Sequence, residues 1–179
     1  MRDASGLRMI VTLIIIGAIC GGIIAWGDGL TSPIIKKREH EAFLEALGRF
    51  YPSMETYDEI IINDKAFYVI NDANGGFLGL LGKGKVSGYG GPILFDLAAD
   101  SAGNIIGFRV SKQTETPGIG DVVNDVERFQ KQFMGLNYAD PITIGVDVDT
   151  ISGATVTTKP VLIGIRVVMD GVKEYLENN

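Results

Sequence analysis

Five of the ten residues from Asp149 to Thr158, DTISGATVTT, carry a hydroxyl, and Gly153 and Ala154 sit among them. A long run of apolar residues at helical spacing follows. Thr157 or Thr158 can cap that helix, and Pro160 suits its first turn. Free amides and the positive end of a helix dipole then lie beside Ser152, Gly153, Ala154 and Thr155, a setting that favours a phosphate group. The small residues let backbone approach closely. Lys159 adds a countercharge, and Thr155 presents its hydroxyl at the lip. A capped helix after a small-residue turn accounts for the same four residues, so both readings stand at this point.

Two upstream stretches carry related chemistry. TETPGIGD, Thr114 to Asp121, has a Pro117-Gly118 turn signal, and Asp121 can cap a following helix. Capping leaves Gly120 and the two threonines, Thr114 and Thr116, unexplained; a loop of exposed amides and hydroxyls can grip an anion or a ring edge. Further upstream, GLLGKGKV from Gly79 to Val86 approaches a phosphate loop, but Val86 stands where a magnesium-binding Ser or Thr is needed. The next residues, SGYGG, cannot open the helix that should face the phosphates, so nucleoside triphosphate hydrolysis is rejected. A flexible connection between strands is one reading of this glycine-dense region. The other lets Ser87 to Gly91 bring backbone close to a planar ligand, with Tyr89 stacked on it.

Composition removes other chemistries. The only Cys, Cys20, lies in an uncharged stretch, so the remainder has neither disulfide nor thiolate chemistry. The only His, His40, sits in KKREHEAFLEAL, which reads as a solvated helix; this excludes His-rich zinc sites and leaves a Ser-His-Asp triad without a credible base. Beyond residue 27 the chain has 14 Lys and Arg against 21 Asp and Glu, which argues against a nucleic-acid partner.

The elements that must position these groups follow from periodicity. Met9 to Trp26 is eighteen residues without a charge, about 27 Å as a helix against a hydrocarbon core of about 30 Å. A retained membrane helix fits better than a cleaved signal peptide, whose apolar core is shorter and ends at a small-residue site. Arg2 and Arg8 lie closer to this helix than Lys36, Lys37 and Arg38, which leans toward a cytoplasmic N-terminus. Ser32 and Pro33 open a juxtamembrane helix through about Leu47. EIIIND and AFYVIND read as one strand pair around Asp64 and Lys65; PILFDLAAD and NIIGFRVSKQ read as another around Ser101-Ala102-Gly103. Val122, Val126, Phe129 and Phe133 mark an amphipathic helix from Asp121, ITIGVDV reads as a strand, and Val161 to Leu176 keep helical spacing. The expectation is an α+β protein with a mostly antiparallel sheet flanked by helices. Its parts are a cytoplasmic N-terminus (1–8), a transmembrane helix (9–26), a juxtamembrane helix and linker (27–52) and a ligand-binding domain (53–179).

Taken together, the motifs carry a resemblance. DTISGAT matches the D-x-x-[S/T]-G-A-T motif of FMN-binding domains whose flavin is held by a phosphoester to threonine, and ETPGIGD resembles their T-P-G-[L/I]-G-D loop. With one N-terminal apolar helix, the whole chain resembles the G-subunit family of Rnf ion-translocating electron-transport complexes. That family is related to the C subunit of sodium-pumping NADH:quinone reductases. The resemblance implies covalent FMN on Thr155, with Thr157 and Thr158 as runners-up, and a flavin pocket lined by Thr116, Pro117, Gly118 and Gly120. It places Asp149 in the sequence read by a flavin transferase. It further implies a single-pass protein of the inner membrane with its domain on the extracytoplasmic side. Its partners would be the other membrane subunits, the transferase and the bilayer, and its role electron relay rather than catalysis on a metabolite. The alternatives are the corresponding sodium-pump subunit, an FMN module of a separate extracytoplasmic reductase, and an anchored structural or sensory module.

Overall fold

The computed structural model describes residues 3–116, 120–149 and 154–179. Its elements, in order, are α1 (Asp3–Phe50), β1 (Thr56–Ile62), β2 (Lys65–Asn71), β3 (Phe77–Ser87), β4 (Pro92–Asp100), β5 (Ile105–Lys112), two 3-10 turns (Gly120–Asn124 and Gln130–Phe133) and α2 (Thr155–Asn178). Two compact units result, Met1–Ala46 and Leu47–Asn179.

The first unit is most of α1, the one helix among the described residues long and apolar enough to cross a membrane. Its 48 residues make about 72 Å of helix, well beyond a bilayer core. The expected new start at Ser32 and Pro33 is corrected, because the helix runs through Pro33 without a break. Proline deletes a single bond, to the carbonyl of Gly29. Gly29 is exposed, so that carbonyl can be solvated. The preceding hydroxyls stay within the helix: Thr31 Oγ1 donates to the Gly27 carbonyl (2.9 Å) and Ser32 Oγ to Asp28 Oδ1 (3.3 Å).

The second unit is built on a five-stranded antiparallel meander in chain order, β1-β2-β3-β4-β5. Local chemistry makes the turns. Asn63 (φ 49°) and Asp64 (φ 60°) both take left-handed backbone, as a two-residue hairpin with the strands' own twist requires. At the β4–β5 turn, Asp100 Oδ1 accepts the amides of Ala102 (2.9 Å) and Asn104 (2.8 Å). The glycine-dense region is therefore no flexible connection; it is β3, paired on both sides. Its low strand propensity is overridden by the helix above it. A Cβ on Gly82 would lie 2.4 Å from Val168 of α2, and one on Gly84 would lie 2.0 Å from the Phe95 ring.

The core lies between this face of the sheet and α2. Phe67, Leu80, Phe95 and Leu97 meet Val161, Ile165, Val168 and Val172, all essentially inaccessible. On the other face Tyr51, which follows α1, donates its phenol to the carbonyls of Leu80 (2.9 Å) and Ala99 (2.7 Å).

Two sequence expectations fail between β5 and α2. The amphipathic helix from Asp121 is two short 3-10 turns, with Val123, Phe129 and Phe133 buried while Val126 is exposed. Asp125 interrupts it, its side chain accepting the Arg128 amide (2.9 Å) as a local alternative to helix. ITIGVDV is not a strand of the sheet. Ile142 (φ 44°) and Gly145 (φ 78°) fold it into a turn, held by Asp147 Oδ2 accepting the Thr143 amide (3.0 Å).

Candidate functional site

Helix α2 starts at Thr155, three to four residues earlier than a cap at Thr157 or Thr158 would place it. Ala154 is the N-cap, and its carbonyl accepts the amides of Thr157 (3.0 Å) and Thr158 (2.9 Å). Alanine has no side-chain oxygen, so no side chain at the N-cap closes this helix end. Thr157 and Thr158 are thus first-turn residues rather than caps, and Pro160 lies beyond the first turn. The amides of Thr155 and Val156 precede the first intrahelical bond, at the positive end of a 24-residue helix.

The three threonines of this turn have different fates. Thr155 is half-buried, at the lip. Thr157 is buried and donates its hydroxyl to Glu115 Oε2 at 2.9 Å. Thr158 is fully buried, and its Oγ1 has no hydrogen-bond partner among the described residues. Lys159 is exposed beside them.

Glu115 is the residue that sequence reading passed over. It is 7% exposed, and its two carboxylate oxygens face different segments. Oε2 takes the Thr157 hydroxyl, while Oε1 takes the Gly90 amide (3.0 Å) in the turn between β3 and β4. Its own amide donates to the Gln113 side chain. The neighbouring glycines are shaped around it: a Cβ at Gly88 would lie 2.0 Å from Oε1, and one at Gly120 would lie 2.3 Å from Oε2. Thr114 Oγ1 adds a bond to the Gly90 carbonyl (3.1 Å). The Thr116 carbonyl accepts the Gly120 amide (3.0 Å), closing the end of that loop. The signal in the sequence was a lone acid between threonines in a turn-forming loop.

The fold therefore gathers the Gly88–Gly91 turn, the loop from Thr114 and the first turn of α2. Tyr89 crowns that turn with 77% of its surface exposed. Asp149 is exposed and engaged elsewhere: its amide donates to Gln132 Oε1 (2.6 Å). Pro117, Gly118, Ser152 and Gly153 lie outside the described residues. The arrangement fits a phosphate-bearing planar group, with an open helix end for the anion and close-approaching backbone for a ring.

Residues 88–176 match the family model described as FMN-binding domain, a span that opens and closes with the elements just assembled. The chain carries an FMN-binding domain of this family. Among its relatives is the G subunit of the ion-translocating oxidoreductase complex of Methanosarcina acetivorans, 29% identical over 96% of this chain and 97% of the relative. The G subunit of the proton-translocating ferredoxin:NAD(+) oxidoreductase complex of Clostridium ljungdahlii is 24% identical over 88% and 86%. Among solved structures, NqrC of Shewanella oneidensis superposes with a TM-score of 0.54 at 23% identity, covering 65% of this chain and 63% of that one. That likeness concerns the fold: the FMN-binding domain here has the same architecture.

Proposed function

We propose that this FMN-binding chain is the membrane-anchored, electron-relaying G subunit of an ion-translocating oxidoreductase complex, with FMN joined through its phosphate to Thr155 Oγ1. Membrane anchoring follows from the uncharged stretch of α1 and from relatives that are subunits of ion-translocating complexes. The observation that carries the attachment is the open first turn of α2, where the three hydroxyls are unequal. Thr157 is held by Glu115 and Thr158 is enclosed, which leaves Thr155 as the hydroxyl a phosphate can reach.

The flavin supplies the redox chemistry; the protein supplies position and potential. Thr155 anchors, the amides of Thr155 and Val156 offset the phosphate charge, and Lys159 adds a cation. The Gly88–Gly91 turn lets backbone approach a ring, and Tyr89 offers an aromatic face. Gly118, Gly120, Thr116 and Pro117 complete the pocket on the motif resemblance, as Ser152, Gly153 and Ala154 complete the attachment sequence. Asp149, exposed, is available to a flavin transferase reading that sequence. The domain sits on the extracytoplasmic side of the inner membrane, where a dissociable flavin would be lost and a covalent tether has a purpose. Its partners are the remaining membrane subunits of the complex and the transferase. Likeness to the sodium-pump C subunit supports only the shared fold, whereas the relatives matching nearly the full length are G subunits.

The test is in-gel fluorescence under denaturing conditions, on full-length protein co-expressed with a flavin transferase. Thr155→Val abolishes the signal while Thr157→Val and Thr158→Val retain it, and intact mass of the wild type rises by one FMN less water. A fluorescent Thr155→Val protein, or colourless mature wild type, sinks the assignment.

A further inference from the structure

We propose that Glu115 is a positioning residue that clasps the flavin seat together and, through its negative charge, holds the flavin's reduction potential down. The idea rests on FMN being seated at Thr155, and it goes beyond that reading by assigning a role to a residue outside the attachment motif. A buried carboxylate is costly unless it is well bonded. Glu115 has two neutral donors on its oxygens, the Thr157 hydroxyl and the Gly90 amide, and no cation bridged to it among the described residues. Those donors belong to two of the three segments the seat is made from, α2 and the glycine turn, and Glu115 itself stands on the third. Gly88 and Gly120 have no room for a Cβ because the same carboxylate fills the space. Three separate segments are thus built around one acid.

A neutral amide could make the same two contacts at lower desolvation cost. Its oxygen would accept from Gly90, and its NH2 would donate to Thr157 Oγ1, which can turn to accept. Retaining the charge is unnecessary for the clasp alone. It has a consequence for a redox group nearby, because a fixed negative charge disfavours added electrons and drives the potential downward. The positive end of α2 eases the cost of keeping that charge in place.

The two roles separate with two variants of the full-length protein. Glu115→Gln keeps the clasp: flavinylation by in-gel fluorescence is unchanged, and hydrogen exchange at the Gly90 amide stays as in wild type. Its midpoint potential, measured by spectroelectrochemical titration, moves to more positive values. Glu115→Ala opens the clasp: in protein made without transferase, exchange at Gly90 accelerates by about tenfold or more. An unchanged potential in a flavinylated Glu115→Gln overturns the proposal, as does an unchanged Gly90 exchange rate in Glu115→Ala. The exchange arm needs no flavin. Wild type that never acquires fluorescence therefore overturns the Thr155 reading and the electrostatic role together, and exchange still decides the clasp separately.

Discussion

Tyr51 illustrates how one side chain ties neighbouring strands together. Its phenol is shared between the Leu80 and Ala99 carbonyls of β3 and β4, at 4% exposure. Tyr51→Phe removes that donor from two buried acceptors and costs about 1–2 kcal/mol in urea unfolding. Burial also raises the Tyr51 pKa far above its ordinary value. The folded state then keeps the phenol neutral, while the unfolded chain ionises it near pH ~10. Its contribution is intact below that pH and is lost as pH rises further. The stability gap between wild type and Tyr51→Phe therefore narrows at alkaline pH; a gap that stays constant from pH 8 upward contradicts this. Asp96 and Arg109 make a second residue-scale case. They pair across β4 and β5 at 2.5 Å, with the acid 3% exposed and the base 27%. Removing the base strands the more deeply buried charge. Arg109→Ala therefore lowers the unfolding free energy measured in urea more than Asp96→Ala does, the former by roughly 2–4 kcal/mol. Equal losses would show that the acid is reached by water.

Between elements, the contact that matters most for the site is α2 on β3, because it sets where the first turn of α2 meets the glycine turn. Small residues on both surfaces let them close. Gly84 faces the Phe95 ring, and on the helix Gly164 has Val86 Cγ1 at 2.6 Å from a built Cβ. Alanine has different outcomes at these two positions. At Gly84 it collides with a packed ring and costs about 1–3 kcal/mol. At Gly164 a comparable clash is partly offset by roughly 1 kcal/mol of better helix propensity. Thermal unfolding should rank Gly84→Ala well below Gly164→Ala, and the reverse order would mean that Phe95 can swing clear. This packing also accounts for the glycine content of β3. Leu80, Gly82, Gly84 and Val86 alternate along one face as a half-buried strand does, but glycine hides the pattern from any hydrophobic count. The 3-10 turns around Val123 and Phe133 show the opposite case. Their apolar spacing mimics a helix that Asp125 interrupts by bonding locally.

For the molecule as a whole, an apolar helix precedes an acidic domain, and relatives of matching length are subunits of ion-translocating complexes. On this basis the full-length chain sediments with membranes and resists alkaline extraction, as a peripheral protein would not. An extracytoplasmic domain makes a cysteine placed at exposed Asn74, in the β2–β3 turn, reactive toward a membrane-impermeant maleimide in intact cells. Labelling only after lysis would reverse the topology. The native Cys20 lies in the uncharged stretch of α1, so a Cys20→Ala background removes any competing signal.

Near neighbours in sequence were legible before any coordinates. The apolar N-terminal helix, the hairpin around Ser101-Ala102-Gly103 and the apolar face of the final helix each depend on interactions over a few residues, so their composition declares them; the first hairpin turn lies one residue earlier than its composition suggests, at Asn63-Asp64 rather than Asp64-Lys65. Long-range geometry was not legible. Nothing in the order of residues says that Glu115 bonds Thr157, 42 positions away, and Gly90, 25 positions back. Nor does it say that glycines in β3 make room for α2, or that one threonine of three stays reachable. Those facts depend on which segments the fold brings within hydrogen-bond or van der Waals range, and the physical cause lies in packing across the sheet rather than in any local preference of the chain.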